Sequence, residues 1–183
     1  MSKKALVVGG TGMLKDVVRW LVEQGYLVAV VGRNRERFER VLQGLSQPET
    51  VDYIQLDYHQ THELRAAMEA LLLRNGPLDL VVSWIHLTAP EALTTIQMAL
   101  SRQEQEWRLL QVCGSGAWKK PPQIVPTANC QYRRVILGFV LEGNSARWLS
   151  NQEIAQGVVN AIRNDQPLSI VGVVEPWEKR PAY

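Results

Sequence analysis

Cysteine is scarce in this chain of 183 residues. There are two, Cys113 and Cys130, too few for a disulfide framework or a cysteine metal cluster. That scarcity predicts a reducing, cytoplasmic setting and no bound metal. An excess of one charge is lacking as well: 20 Lys and Arg stand against 18 Asp and Glu, for a formal net charge of +2. Such a balance carries no basic footprint for nucleic acid. No apolar run is long enough to cross a bilayer, and Met1-Ser2-Lys3-Lys4 leads straight into a short strand-like run that ends at glycines. Neither a membrane span nor a signal peptide is expected. No internal repeat, low-complexity tract or linker divides the chain. What is present is 46% hydrophobic residues, at a length that suits one domain, 1–183, with a real core.

Those hydrophobic residues alternate between short β-branched runs and longer amphipathic stretches. Strands are expected over 5–8, 27–31, 51–56, 78–82, 108–113, 134–140 and 168–173. Nearly continuous Val, Ile and Leu in several of them implies burial on both faces, as in a parallel sheet covered by helices. Helices are expected over 13–24, 35–45, 61–73, 90–102 and 151–163. In the first, Leu14, Val17, Val18, Leu21 and Val22 share one face, and Gly25 follows as a stop. Thr88 to Glu91 and Ser150 to Glu153 both fit a capping box at a helix start. The one break is 114–131, where Pro121, Pro122 and Pro126 predict a loop. Repeated strand–helix–strand units predict an α/β, doubly wound parallel sheet of about seven strands with helices on both faces.

The strongest local signal is Val8-Gly9-Gly10-Thr11-Gly12-Met13-Leu14, between the first strand and the first helix. Glycine there lets the chain turn tightly and lets a pyrophosphate approach the backbone, while the helix N-terminus supplies N–H groups and a favourable dipole. A third glycine three positions on is absent. Lys15 stands there, which predicts a slightly wider or re-aimed helix start. A nucleoside-triphosphatase loop is excluded, because no Gly-Lys pair precedes Ser or Thr.

The second strand ends in Val31-Gly32-Arg33-Asn34-Arg35, with no acidic residue before Glu36. Arginines there suit a ribose phosphate, so NADP(H) is preferred over NAD(H). Arg37 and Arg40 read as a solvated face. Asp57, beside Tyr58 at the end of the third strand, reads either as a partner for the adenine amine or as a helix cap. Ile85 and His86 follow the fourth strand, at the carboxyl edge where ligands collect. The expected cofactor set is therefore Gly9, Thr11, Gly12, Met13, Leu14, Arg33, Asn34, Arg35, Asp57, Tyr58, Ile85 and His86.

These residues resemble the short-chain dehydrogenase/reductase superfamily, in its atypical or extended branches. Gly9 to Leu14 resembles its glycine motif, Gly32-Arg33-Asn34 its NADP-type second strand, and Gln55-Leu56-Asp57 its adenine-site aspartate. Ile85-His86-Leu87-Thr88-Ala89 is similar to the run after the fourth strand in extended members. The resemblance implies a Rossmann-like fold and hydride transfer to or from a small carbonyl or alcohol. It also implies a catalytic serine after the fifth strand and a Tyr-x-x-x-Lys pair on the next helix. No such pair occurs in the sequence. Ser115 falls near the serine position. Tyr132 is the candidate tyrosine, entering the pocket from its loop with Lys119, Arg133 or the cofactor's own positive ring lowering its pKa. The plainer alternatives are a loop hydroxyl for Ser115 and a rim aromatic for Tyr132.

Three functions stay open: an NADP-dependent oxidoreductase, a nucleotide-binding redox sensor or interaction module without turnover, and a fold whose pyrophosphate site Lys15 blocks. Trp118 and Trp148 are read as packing residues or a lid. The 175–183 tail docks on a neighbour or on its own domain. Relatives often pair through the helices after the fourth and fifth strands; the pattern lacks the second of these, so the usual four-helix interface is not expected and a homo-oligomer stays open.

Overall fold

In a computed structural model, which describes residues 2–182, the β-branched runs become a parallel sheet. Its strands are β1 (Lys4–Val8), β2 (Leu27–Gly32), β3 (Val51–Gln55), β4 (Leu80–Ser83), β5 (Trp107–Gly114), β6 (Cys130–Leu137) and β9 (Leu168–Val171). They lie in the order β3-β2-β1-β4-β5-β6-β9, and all six pairings are parallel. The chain thus starts in the middle, winds to one edge, returns and winds to the other. This is the doubly wound, Rossmann-like arrangement that the alternating pattern predicts.

Alternation along the strands splits the core in two. Ala5, Val7, Val28 and Val30 face helices α1 (Lys15–Glu23), α2 (Arg35–Leu42) and α5 (Asn151–Asn164). Leu6, Val8, Ala29 and Val31 face α3 (Thr61–Asn75) and α4 (Pro90–Leu100). All eight of these strand residues are at most 3% exposed, so neither face of the central strands meets water. Both layers are held by apolar burial.

Several local expectations change. The sixth strand starts at Cys130 rather than 134 and stops at Leu137. At Gly138 the chain passes so close to the C-terminal segment that a Cβ would sit 2.0 Å from the Val173 carbonyl oxygen. Beyond it runs an antiparallel hairpin of β7 (Phe139–Glu142) and β8 (Ser145–Trp148), which the sequence pattern did not separate from the strand before it. The proline-rich stretch is a loop after a single 3-10 turn (Ser115–Trp118), as expected. Its end is knotted by Asn129, whose Nδ2 donates to the Leu100 and Gln103 carbonyls at 3.0 and 2.9 Å.

The capping box at Thr88 does not form. Ala89 takes the cap position without a side-chain bond, and the Thr88 hydroxyl turns instead to His59, 2.9 Å away. The second box does form. Ser150 Oγ accepts from the Glu153 N–H at 3.1 Å, and Glu153 Oε2 accepts from the Ser150 N–H at 2.8 Å. Arg147 adds two bonds to the same carboxylate, at 2.9 and 3.0 Å. Those Arg147 bonds and then the Ser150 N–H hold the Glu153 carboxyl down to about 2.

A lowered folded-state pKa means that the stabilisation is present above the ordinary carboxylate range and disappears as pH falls toward about 2. Glu153→Gln is therefore expected to melt below the wild type at neutral pH, with the gap closing as the pH is lowered through that window. Ser150→Ala should cost about 1 kcal/mol. Thermal melts followed by circular dichroism across the acid range check both, and a Glu153→Gln gap that is constant with pH would remove the charge from the explanation.

Candidate active site

The turn between β1 and α1 is built by three glycines with three different jobs. Gly9 has φ +84°, where a side chain is strained, and a Cβ there would meet the Trp84 carbonyl oxygen at 3.0 Å. Gly10 lies under the helix: a Cβ would come within 2.9 Å of Val18, 3.0 Å of Val7 and 3.1 Å of Val30. It is Gly10 that lets α1 press onto the sheet. The wider helix start expected from Lys15 is therefore corrected, because the close contact is made five residues earlier. Gly12 has nothing within 4 Å of a Cβ and is exposed, so the backbone there is open to a ligand. No side chain caps the N-terminus of α1; the Lys15 N–H turns back to the Gly12 carbonyl at 3.1 Å and the Val17 N–H to the Leu14 carbonyl at 3.0 Å, so the helix start is closed by its own backbone.

The neighbouring strand ends add their side chains at the same carboxyl edge. Thr11 packs over Gly32, where a Cβ would meet its methyl at 3.0 Å. Arg33 is exposed, with one guanidinium nitrogen 3.7 Å from Asp57 Oδ2. Asp57 also accepts from the His59 N–H at 3.0 Å and from the His59 Nδ1–H at 2.6 Å, since a carboxylate only accepts. These His59 bonds hold its carboxyl below the usual carboxylate range, with Arg33 as a lesser cause. Asp57 is thus neither a helix cap nor an unattended charge. His59, which the sequence did not single out, ties it to Thr88 in the next loop.

Other members of the expected set have structural duties. Leu14 is fully buried in the core, so it can offer a ligand only its backbone. Asn34 caps α2, its side-chain oxygen accepting from the Arg37 N–H at 2.9 Å. Arg35 turns along α2 to Glu39 at 3.3 Å. Tyr58 accepts at its hydroxyl from the His86 N–H at 3.4 Å and stacks on His59, bridging two loops.

Beside the glycine turn a cleft of about 670 Å³ opens over the ends of β4, β5 and β6. Met13, Trp84, Ile85 and His86 line one side, Gly114 to Ala117 the floor, and Trp148 and Arg180 the far wall. The turn and the cleft are continuous through Met13 and Trp84, as a dinucleotide running into a reaction chamber requires.

The sequence model for short chain dehydrogenase matches residues 3–107, more than half of the chain. This chain belongs to the short chain dehydrogenase family. Solved structures of the same fold include an actinorhodin polyketide ketoreductase variant with NADPH, 15% identical, with a TM-score of 0.72 over 93% of this chain and 96% of that one. An alcohol dehydrogenase from the archaeon Thermococcus sibiricus, complexed with 5-hydroxy-NADP, is 17% identical with a TM-score of 0.70 over the whole of both chains. An NAD+-bound xylitol dehydrogenase is 17% identical, with a TM-score of 0.62 over 77% of this chain and 72% of that one. Among curated proteins no sequence match reaches significance.

Within this family member the two catalytic candidates part company. Ser115 follows β5, opens the 3-10 turn and lines the cleft at 1% exposure. Tyr132 does not reach the cleft. It is not on a loop but inside β6, paired with Leu109, roughly 16 Å of strand before the carboxyl edge at Leu137. Its hydroxyl donates to Gln111 Oε1 at 2.7 Å and accepts from Arg134 Nε at 3.2 Å. Burial raises its pKa more than Arg134 lowers it. The groups expected to depress it are committed elsewhere, Arg133 to Asp165 at 2.9 Å and Lys119 to Glu175 at 2.8 Å. Cys113 lines the cleft, but burial pushes its thiol up to about 11, which excludes a thiolate nucleophile near neutral pH.

Gly10 and Gly12 separate packing from binding. Gly10→Ala is expected to destabilise the fold by about 1–3 kcal/mol through overpacking. Gly12→Ala should leave stability within about 0.5 kcal/mol of wild type, as at other open surface positions. Urea unfolding of the two variants checks this, and equal losses would refute the division of labour.

Proposed function

We propose that this chain is an NADP(H)-dependent oxidoreductase that moves a hydride between a nicotinamide and a small carbonyl or alcohol substrate. The observation that carries it is the open backbone at Gly12 next to Met13, which lines the same cleft as Ser115. A bound nicotinamide dinucleotide supplies the hydride, and the protein supplies placement and exclusion of water. The glycine turn, open at Gly12, offers its backbone and the positive end of the α1 dipole to the pyrophosphate. Trp84 and Ile85 wall the nicotinamide end. Ser115 offers its hydroxyl to the substrate oxygen.

Preference for the phosphorylated cofactor rests on the end of β2. Arg33 there is exposed, 3.7 Å from Asp57, which is hydrogen-bonded to His59. β2 itself ends without a carboxylate before Glu36, and a guanidinium binds a ribose phosphate with charge-assisted hydrogen bonds. A second reading, a nucleotide-binding module without turnover, draws on the placement of Tyr132 outside the cleft. The two readings share the cofactor site and differ at Ser115.

Titration with NADPH and NADH, followed by cofactor fluorescence, is expected to show tighter binding of NADPH. Arg33→Ala should weaken NADPH by about ten- to a hundredfold and leave NADH almost unchanged. Gly12→Ala should weaken both. A panel of small aldehydes and ketones, followed by loss of NADPH absorbance, then separates enzyme from module. If neither nucleotide binds below millimolar, both readings fail.

A further inference from the structure

Turning a carbonyl into an alcohol takes a hydride and a proton, so the cleft must hold a group that can give up the second. Tyr132 does not reach it, being paired inside β6. Among the described residues, four ionisable side chains line the cleft: His86, Cys113, Lys120 and Arg180. Burial pushes the Cys113 thiol up to about 11, which takes it out of play near neutral pH. Exposed ammonium groups and guanidinium groups also hold their protons there. An imidazole is the side chain whose charge changes between roughly pH 5 and 8. His86 is the group that remains.

His86 comes three residues after β4, at the carboxyl edge of the sheet, and its backbone is held on both sides. Its N–H donates to the Tyr58 hydroxyl at 3.4 Å, and its carbonyl accepts from the Ala89 N–H at 3.0 Å. The ring stands edge-on to Trp84, with centroids 5.6 Å apart and planes at 72°. Trp84 in turn is fixed by its N–H, which donates to the Val8 carbonyl at 3.0 Å. Strand and glycine turn thus place the imidazole, while neither of its nitrogens is hydrogen-bonded to a described residue. His59 is the contrast: its two nitrogens are committed, to Asp57 at 2.6 Å and to Thr88 at 2.9 Å. A proton carrier needs a nitrogen free for the reacting oxygen, and contact with water to be recharged. His86 has both, since it is exposed and borders the cleft.

We propose that His86 is the acid–base group of the reaction, giving the proton in reduction and taking it in oxidation. This rests on the oxidoreductase reading above. In reduction the carbonyl carbon accepts a hydride from reduced nicotinamide, which is oxidised. The C=O π pair moves onto the oxygen as an imidazolium N–H bond breaks toward it, and the O–H bond of the alcohol forms. The imidazole, left neutral, takes a proton from water. Oxidation runs the same transfers backward. The titratable groups around the ring are Cys113, Lys120 and Arg180 in the cleft and Tyr58 at the His86 backbone, with His59 stacked on Tyr58.

The test uses the full chain and has two arms. In the kinetic arm, with NADPH and a small ketone, kcat should fall as pH rises through the imidazole range, and the reverse reaction should speed up over it. His86→Gln is expected to lower kcat about a hundredfold, to leave NADPH affinity within about twofold, and to flatten both profiles. Imidazole added to His86→Ala should restore part of the rate. In the binding arm, run with and without NADPH, diethyl pyrocarbonate modifies the histidines and peptide mass spectrometry reads each site. Saturating cyclohexanol is expected to slow the modification of His86 about tenfold and to leave that of His62, exposed on α3, unchanged. Equal modification of His86 with and without the alcohol overturns the proposal. So does a His86→Gln variant with the wild-type rate and profile, or a Lys120→Gln variant that flattens the profile in its place. If cyclohexanol protects His86 while NADPH neither binds nor is consumed, it is the oxidoreductase reading that falls.

Discussion

A helix can approach a sheet only as closely as the side chains between them permit, and in this protein that distance is set at Gly10. Val7, Val18 and Val30 leave no room there for a methyl group. Because α1 is drawn down at that point, the chain must climb from β1 over Gly9 and arrive at the helix with Gly12 facing outward. The exposed backbone at Gly12 and the buried contact at Gly10 are two sides of one turn. Gly9 fixes the third side, since its positive φ and its contact with the Trp84 carbonyl bring the end of β4 against the turn. The cleft begins where that contact ends, so the placement of Trp84 and Ile85 follows from glycine packing at the end of the adjacent strand.

The second constraint is what lies between β5 and β6. Here a 3-10 turn and a proline-rich loop take the chain from one strand to the next, with Asn129 bonding back to the end of α4. A loop has no amphipathic face to lay along the sheet, so Ile124 and Tyr132 fill in against the α3–α4 layer as packing residues. This is why Tyr132 serves Gln111 and Arg134 rather than the cleft. The same economy leaves the wall of the cleft to be finished by parts distant in sequence, β8 with Trp148 and the C-terminal segment with Arg180.

The sheet was legible in the sequence because both faces of its strands are buried: uninterrupted Val, Ile and Leu mean the same thing wherever they occur. The glycine turn was legible by position, between a strand and a helix, although the role given to a missing third glycine belonged to Gly10 of the Gly9-Gly10 pair. The Thr88 box failed because the pattern records which residues can cap, and not that His59 from another loop competes for the hydroxyl. Splitting of 134–140 at Gly138 depends on Val173, thirty-five residues on, which no local window contains. Arg180 was invisible for the same reason. Its place is set by a hydrogen bond spanning 65 residues and by two indole rings from separate elements.

That last point bears on how a site can be kept when a catalytic element is absent. A tyrosine that is to act as an acid near neutral pH needs its pKa lowered, which takes a cation held rigidly beside it in a wet or polar pocket. In this chain the half-buried Tyr132 is shifted upward and stands outside the cleft, and the half-buried Cys113 thiol is shifted upward within it. Neither offers a proton or a charge at the right place.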